Sequence, residues 1–252
     1  MVGRILAAVI AAVIAATAAN AAEAPRPPGQ KWSFAEISGK YDRNALRRGL
    51  TVYTGVCGAC HSLDLVAYRH LGGVDYSAEE IKAIAAEFEV EDGPDEDGEM
   101  FTRAALPADA FAAPFANEQA ARAANGGAYP PDLSLITKAR KHGADYLYAL
   151  LTKYRDEAPE GFDLLDGMYY NEYFPGHQIA MPPPLVEGAV EYADGTEATV
   201  AQMASDVTTF LAWAAEPEME ERKRLGIKVL IFVLVLTAML YALKRQIWSR
   251  LH

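Results

Sequence analysis

The chain has 252 residues, 51% of them hydrophobic, and a formal net charge of −11, which excludes a disordered polymer and leaves room for one sizeable core or two small ones. All 34 Asp and Glu lie between Glu23 and Glu221, against only 15 of the 23 Lys and Arg, so the middle carries −19 and both ends are basic. A field of that sign disfavours nucleic acid and favours a basic partner.

Residues 5–16 are apolar behind Arg4, and Ala19-Asn20-Ala21 offers the small residues a signal peptidase needs. A run of about 12 residues is too short to cross a ~30 Å hydrocarbon layer. Residues 1–21 therefore read as a cleaved export signal, and the modest Arg and Ser content favours a bacterial periplasm over a mitochondrion. Residues 25–29 form a Pro-rich linker. Residues 42–53 predict a helix with Leu46, Gly49, Leu50 and Tyr53 on one face. Gly49 there would let another helix approach closely.

The two cysteines of the chain fall in Cys57-Gly58-Ala59-Cys60-His61, the C-x-x-C-H spacing of covalent haem attachment. Two thiols three residues apart can form thioethers to the two vinyl groups of one haem, and the next residue then presents an imidazole to the iron. A thioredoxin-like pair would need a βαβ context, a zinc site further Cys or His ligands, and a structural disulfide has no use for His61.

Residues 87–99 (EFEVEDGPDEDGE) read as an acidic, turn-forming loop. Residues 144–154 predict a helix with Leu147, Leu150, Leu151 and Tyr154 clustered. The Tyr, Asp and Glu residues of 163–172 read as surface. Residues 199–214 repeat apolar side chains at Val200, Met203, Ala204, Val207, Phe210, Leu211 and Ala214, an amphipathic helix that Glu216-Pro217 breaks or bends. Residues 225–243 contain one charge, Lys228. At 1.5 Å per residue they reach about 28 Å, enough to cross a membrane if Lys228 snorkels to the headgroups. Few stretches alternate like strands. The fold expected is mainly α: a helical haem domain with long loops over 22–221, one transmembrane anchor over 222–245 and a cytoplasmic tail over 246–252.

A haem that only carries electrons needs a sixth ligand, and a Met thioether raises its reduction potential relative to a second His. Met181 opens Met181-Pro182-Pro183-Pro184, where prolines fix φ and stiffen the loop. Met100 and Met168 remain possible ligands, and His177 would make the site bis-His.

Beyond C-x-x-C-H, two segments carry a specific resemblance. Arg122-Ala123-Ala124-Asn125-Gly126-Gly127-Ala128-Tyr129-Pro130-Pro131-Asp132-Leu133-Ser134 is similar to the haem-wrapping segment of the cytochrome c1 family. Tyr173-Phe174-Pro175-Gly176-His177-Gln178-Ile179-Ala180-Met181-Pro182-Pro183 is similar to its axial-methionine loop. The likeness runs from about Trp32 to the end of the membrane helix. It implies one covalent haem c held by Cys57 and Cys60, with His61 and Met181 as iron ligands. It also implies a propionate partner in Arg122 and a haem face shielded by residues 125–131, with Asn125 and Pro131 among the cofactor contacts. Some bacterial members carry an extra disulfide near the methionine loop, for which this chain has no spare cysteines.

The resemblance further implies a carrier without a catalytic acid or base: the electron-transfer subunit of a ubiquinol:cytochrome c oxidoreductase. It would sit in the bacterial inner membrane beside cytochrome b and the Rieske iron-sulfur subunit in a dimeric complex, and pass one electron to a soluble cytochrome c. A stand-alone membrane-tethered cytochrome feeding an oxidase shares the haem and the anchor. A haem peroxidase would need an open sixth position.

Overall fold

The computed structural model describes residues 25–249, so the export signal and the last three residues of the tail lie outside the described residues. The architecture is mainly helical. Helix α1 (Arg43–Gly55) starts where the Asp42 carboxylate accepts the N–H groups of Asn44 and Ala45 at 2.9 and 3.2 Å, satisfying donors that the first turn leaves without partners. It buries Leu46, Gly49, Leu50, Val52 and Tyr53.

Two short 3₁₀ turns follow, Cys57–Ala59 and Tyr68–Val74, and then α2 (Ala78–Ala86) with a Ser77/Glu80 capping box. Beyond them come α3 (Glu118–Ala124), α4 (Ile136–Ala139), α5 (Gly143–Thr152), α6 (Val200–Ala215) and α7 (Met219–Trp248). Helix α6 is the axis of the body. Thr199 caps its first turn, and Met203, Ala204, Val207, Phe210, Leu211 and Trp213 are fully or almost fully buried.

The expected close approach occurs between α1 and α6. A Cβ on Gly49 would stand 2.2 Å from the Asp206 carbonyl oxygen and 2.6 Å from Phe210 Cβ, so only glycine fits the crossing. Beside it the buried Asp206 carboxylate takes Nε and Nη2 of Arg48 at 2.9 and 3.1 Å, and Asp194 takes Nη1 at 2.8 Å. That bidentate pairing compensates the desolvated charge.

Three segments depart from the sequence expectations. The acidic loop contains a hairpin, β1 (Glu89–Asp92) paired antiparallel with β2 (Phe101–Ala104) in the register Val90 opposite Arg103. Arg103 ties it down by gripping Asp92 on β1 and Asp109 beyond β2. The Pro-rich segment 25–29 is not a free linker. Pro27 is buried, and just after it the Gln30 N–H and the Trp32 indole both donate to Asp145 Oδ1 at 2.9 and 2.7 Å. In the stretch read as surface, Tyr170 and Asn171 are buried. Tyr170 lies on β3 (Tyr169–Tyr170), which pairs with β4 (Gln178–Ile179).

Helix α7 is long and apolar enough to cross a membrane, and its side chains from Leu225 to Leu243 are exposed. Glu216 and Pro217 separate it from α6, as expected. Its root is fastened to the body: Glu220 accepts from the Tyr41 N–H at 2.9 Å and from Arg43 at 3.0 Å, and Lys223 Nζ donates to the carbonyls of Phe34 and Glu36, both at 2.6 Å.

Candidate haem site

The Cys57-x-x-Cys60-His61 segment follows directly from α1. Its 3₁₀ turn closes with Cys60 N–H and His61 N–H both donating to the Cys57 carbonyl, at 3.1 and 2.9 Å, which places two thiols and an imidazole on one tight turn. Both cysteines are free thiols. Burial, with Cys60 adjacent, pushes the Cys57 thiol up to about 12.

His61 is fixed from the far side of the chain. Its Nδ1 lies 2.7 Å from the Pro131 carbonyl oxygen, and a carbonyl can only accept, so Nδ1 carries the proton and Nε2 is left with its lone pair. Burial lowers the pKa of His61 below the ordinary imidazole value, against the opposing effects of the Pro131 bond and the Asp132 charge. A neutral imidazole with Nε2 free is the ligand form that an iron requires.

Asp132 holds this arrangement and is a residue that sequence reasoning passed over. Its Oδ2 accepts from Ser62 Oγ at 2.9 Å and from the Asp64 N–H at 2.8 Å, and its Oδ1 accepts from the Ser134 N–H at 2.8 Å. The Leu133 N–H donates to the Ser62 carbonyl at 2.9 Å, and the buried Ser134 hydroxyl accepts from the Leu65 N–H at 3.0 Å. Tyr53, at the end of α1, donates its hydroxyl to the His61 carbonyl at 3.1 Å. The only sequence signal for the clamp was the run Pro131-Asp132-Leu133-Ser134, whose partners lie about seventy positions earlier.

Met181 stands on a separately anchored loop. The Tyr154 hydroxyl, just past α5, donates to the Met181 carbonyl at 3.1 Å, and the Met181 side chain packs partly buried against the same core as Cys57, Val56 and Val190. Buried Asn171 shapes the approach to it. Its Nδ2 donates to the Leu150 carbonyl at 2.8 Å, its Oδ1 accepts from Tyr173 and Phe174 N–H groups, and its own N–H donates to the His177 carbonyl.

The rival ligands stand differently. Met100 is 54% exposed at the acidic hairpin, so no core helps to hold it. His177 has a positive φ of 60° and its ring stacks on Tyr170 at 5.8 Å, with Phe162 edge-on at 6.4 Å. Its Nδ1 is buried without a hydrogen-bond partner. Met168 is half-buried one residue before β3.

Of the haem-wrapping residues, Pro131 is brought to His61 as described. Arg122, exposed on α3, donates Nε to Glu118 at 2.8 Å and Nη1 to the Gly127 carbonyl at 2.9 Å, and lies over the Tyr129 ring. Asn125 Nδ2 donates to the Ala121 carbonyl at 2.7 Å, ending α3. Gly126 and Gly127 follow in the left-handed region, φ 59° and 90°, where a side chain would be strained.

This donor set suits a c-type haem: two unpaired thiols on one turn, a neutral imidazole with Nε2 free, and a thioether on a loop pinned by its own backbone. Among the described residues no three His, Cys, Asp or Glu side chains gather as a metal site, so a zinc reading of the cysteines finds no further ligands.

A model of the family described as "Cytochrome C1 family" matches residues 32–251. The chain belongs to the cytochrome c1 family. Relatives span plants and bacteria. A potato (Solanum tuberosum) protein named "Cytochrome c1-2, heme protein, mitochondrial" is 58% identical over 223 residues, covering 88% of this chain and 85% of the relative. "Cytochrome c1" of Rhodospirillum rubrum is 50% identical over 234 residues, 87% of this chain and 86% of the relative. "Cytochrome b/c1" of Bradyrhizobium diazoefficiens is 50% identical over 248 residues, which are 90% of this chain but 36% of that longer protein. Membership of the cytochrome c1 family makes this a haem-binding protein, and its mainly helical fold with one long apolar C-terminal helix matches the sequence expectation.

Proposed function

We propose that the chain is the electron-transfer haem subunit of a ubiquinol:cytochrome c oxidoreductase, taking one electron from a Rieske iron-sulfur protein and giving it to a soluble cytochrome c. The observation that carries this reading is the 2.7 Å contact from His61 Nδ1 to the Pro131 carbonyl, which supports it by leaving the other ring nitrogen free to bind a metal. The haem, when bound, supplies a one-electron ferric/ferrous couple.

The chain's own residues do the rest. Cys57 and Cys60 would tether the cofactor covalently. His61, in its fixed tautomer, would bind the iron through Nε2. Met181 would supply a second ligand, whose thioether sulfur favours the ferrous form and raises the potential. Arg122 is positioned on α3 to exchange its exposed Glu118 partner for a propionate, a charge-assisted pairing of similar geometry. Asn125 and the glycines after it would shield the haem face, as the resemblance to the family implies.

Support for a complex comes from the Bradyrhizobium relative, whose name joins cytochrome b and c1 in one chain, and from a Candida albicans relative named "Cytochrome b-c1 complex catalytic subunit, mitochondrial". The division proposed is an export signal over 1–21, a periplasmic haem domain over 22–221, a single membrane span over 222–245 and a cytoplasmic tail over 246–252, in a bacterial inner membrane. Purification of the native complex, subunit identification and haem staining after denaturing electrophoresis test the whole reading. Haem on this chain, with cytochrome b and a Rieske protein in stoichiometric amounts, is the expected result. A haem chain that purifies alone and feeds an oxidase overturns it, as does a ferrous spectrum that shifts on adding carbon monoxide.

A further inference from the structure

At the root of α7, remote from the Cys57–His61 turn, the structure has a cavity of about 840 Å³. Its walls combine the exposed Ile37, the buried Trp213 and Ile227 of α7 with six cations and three carboxylates. This is the reverse of the balance elsewhere in the body, where acids dominate.

Half of the cations are committed. Arg43 pairs with Glu220 at 3.0 Å, Arg224 with Glu221 at 3.8 Å, and Lys223 is held by the carbonyls of Phe34 and Glu36. No ion pair to a carboxylate is seen for Lys40, Arg69 or Lys228 among the described residues; Arg69 Nη1 donates to the Ala108 carbonyl at 3.5 Å. Lys228 is also the one charge within the apolar stretch 225–243, so in a membrane span its ammonium would snorkel to the level where the helix leaves hydrocarbon. With α7 as that span, the cavity, lined by both Lys228 and Ile227 of α7, would fall at headgroup depth.

We propose that this cavity binds the phosphate of an anionic phospholipid, with Lys40, Arg69 and Lys228 around the headgroup and the acyl chains lying along α7 past Ile227. Basic pockets at helix roots hold anionic headgroups by charge, and the exposed helix supplies the apolar half of the site. Ile37, 82% exposed on the short loop above, closes the upper edge of the apolar wall. The proposal rests on α7 being a membrane span, which carbonate washing of membranes containing the full chain tests independently. Release into the wash refutes the span, whereas retention leaves the lipid site to stand or fall on the binding measurement.

That measurement is native mass spectrometry of the full haem-loaded chain in mild nonionic detergent, stripped of lipid and offered phosphatidylglycerol or phosphatidylcholine at equal concentration. One phosphatidylglycerol should be retained with a preference of about tenfold or more over the zwitterionic lipid. The triple substitution Lys40→Gln, Arg69→Gln, Lys228→Gln should erase the preference, and Lys82→Gln on α2 should leave it intact. Lys40→Gln alone, at an exposed side chain without a protein partner, should weaken it and guards against misfolding of the triple variant, with the haem spectrum and melting temperature reporting fold. Equal retention of both lipids, or a preference that survives the triple substitution, overturns the proposal. So does displacement of the lipid by excess inorganic phosphate, which would mark a free-anion site. Cross-linking of Lys40 to another subunit in a complex that holds no lipid there would assign the cavity to a protein instead.

Discussion

His61 Nδ1 and the Pro131 carbonyl oxygen, seventy residues apart in the chain, meet at 2.7 Å, and the neighbouring Asp132 holds the two segments together. Asp132 joins the two strands of chain through Ser62, Asp64 and Ser134. Asp132→Ala removes three accepted hydrogen bonds, two of them from backbone N–H groups, at roughly 1 kcal/mol each net. For a domain of this size about 2–3 kcal/mol corresponds to a fall in melting temperature of roughly 4–12 °C. Thermal unfolding of the haem-loaded protein measures it, and an unchanged midpoint would mean that the Pro131 segment is held by other contacts.

Met181 and His177 are rival candidates for second ligand, and their side chains stand differently. Both backbones are pinned, Met181 by the Tyr154 hydroxyl and His177 by the Asn171 N–H, but the His177 ring is stacked on Tyr170 whereas the Met181 side chain packs partly buried against the core. Met181→Leu should abolish the weak near-infrared sulfur-to-iron band of the oxidised protein. It should also lower the potential: a loss of about 2 kcal/mol of ferrous preference is about 87 mV for one electron. His177→Phe, which keeps an aromatic stack, should leave the band in place. Were the band to persist in the first variant and vanish in the second, the assignment would be reversed.

Much of this was legible in the sequence, and the failures share one cause. Helix α1 was expected over 42–53 and runs Arg43–Gly55. The glycine on its apolar face does admit α6, because Gly49 faces a carbonyl that a Cβ would strike. Periodicity is a local signal, and the helices it specifies were found; C-x-x-C-H spacing is equally local, and its three side chains do share one tight turn. The hairpin at 89–104, the clamp at Asp132 and the burial of Asn171 are set by partners distant in sequence or by single polar side chains replacing backbone contacts. Strands of four residues are too short for alternation to register. Asp132 and Asn171 look like ordinary loop residues until their partners are known. Asp163–Glu172 read as surface because acids surround Tyr170, although that ring turns inward against Phe162 and His177.

The Arg103 anchor of the hairpin makes a pH prediction. Arg103 bonding, aided by the Leu106 N–H, lowers the Asp109 carboxyl to about 2, against an ordinary value near 4. A depressed carboxyl contributes stability that is present above the unfolded value and lost as pH falls through the folded one, here between about 4 and about 2. The hairpin should therefore keep its β1–β2 pairing at pH 3. In Arg103→Gln the Asp109 titration, followed by carboxyl carbon NMR shifts, should move up toward 4, and pairing should loosen at that higher pH. A midpoint near 4 in the unsubstituted protein would show that the Arg103 contact is absent in solution.

The acidic segment holds eight carboxylates within thirteen residues, but the structure divides them. Asp92 is engaged by Arg103, and Asp95 accepts the N–H groups of Asp97 and Glu99 at 2.9 and 3.0 Å, shaping the turn. Glu87, Glu89, Glu91, Glu96, Asp97 and Glu99 are exposed and carry the field that a basic acceptor would meet. Blocks of like charge are commonly no more than hydrated surface, so the useful comparison is kinetic. Steering acts on the association rate and decays as the Debye length shortens from about 30 Å at 0.01 M salt to about 10 Å at 0.1 M. Converting those six to Gln or Asn, while sparing Asp92 and Asp95, should leave the hairpin and the haem spectrum unchanged. It should slow second-order reduction of a basic cytochrome c at low salt and flatten the dependence of that rate on ionic strength, with electron entry unaffected. Stopped-flow rates across a salt series decide it: a variant that keeps both the rate and the slope would move the docking surface to other carboxylates of the body.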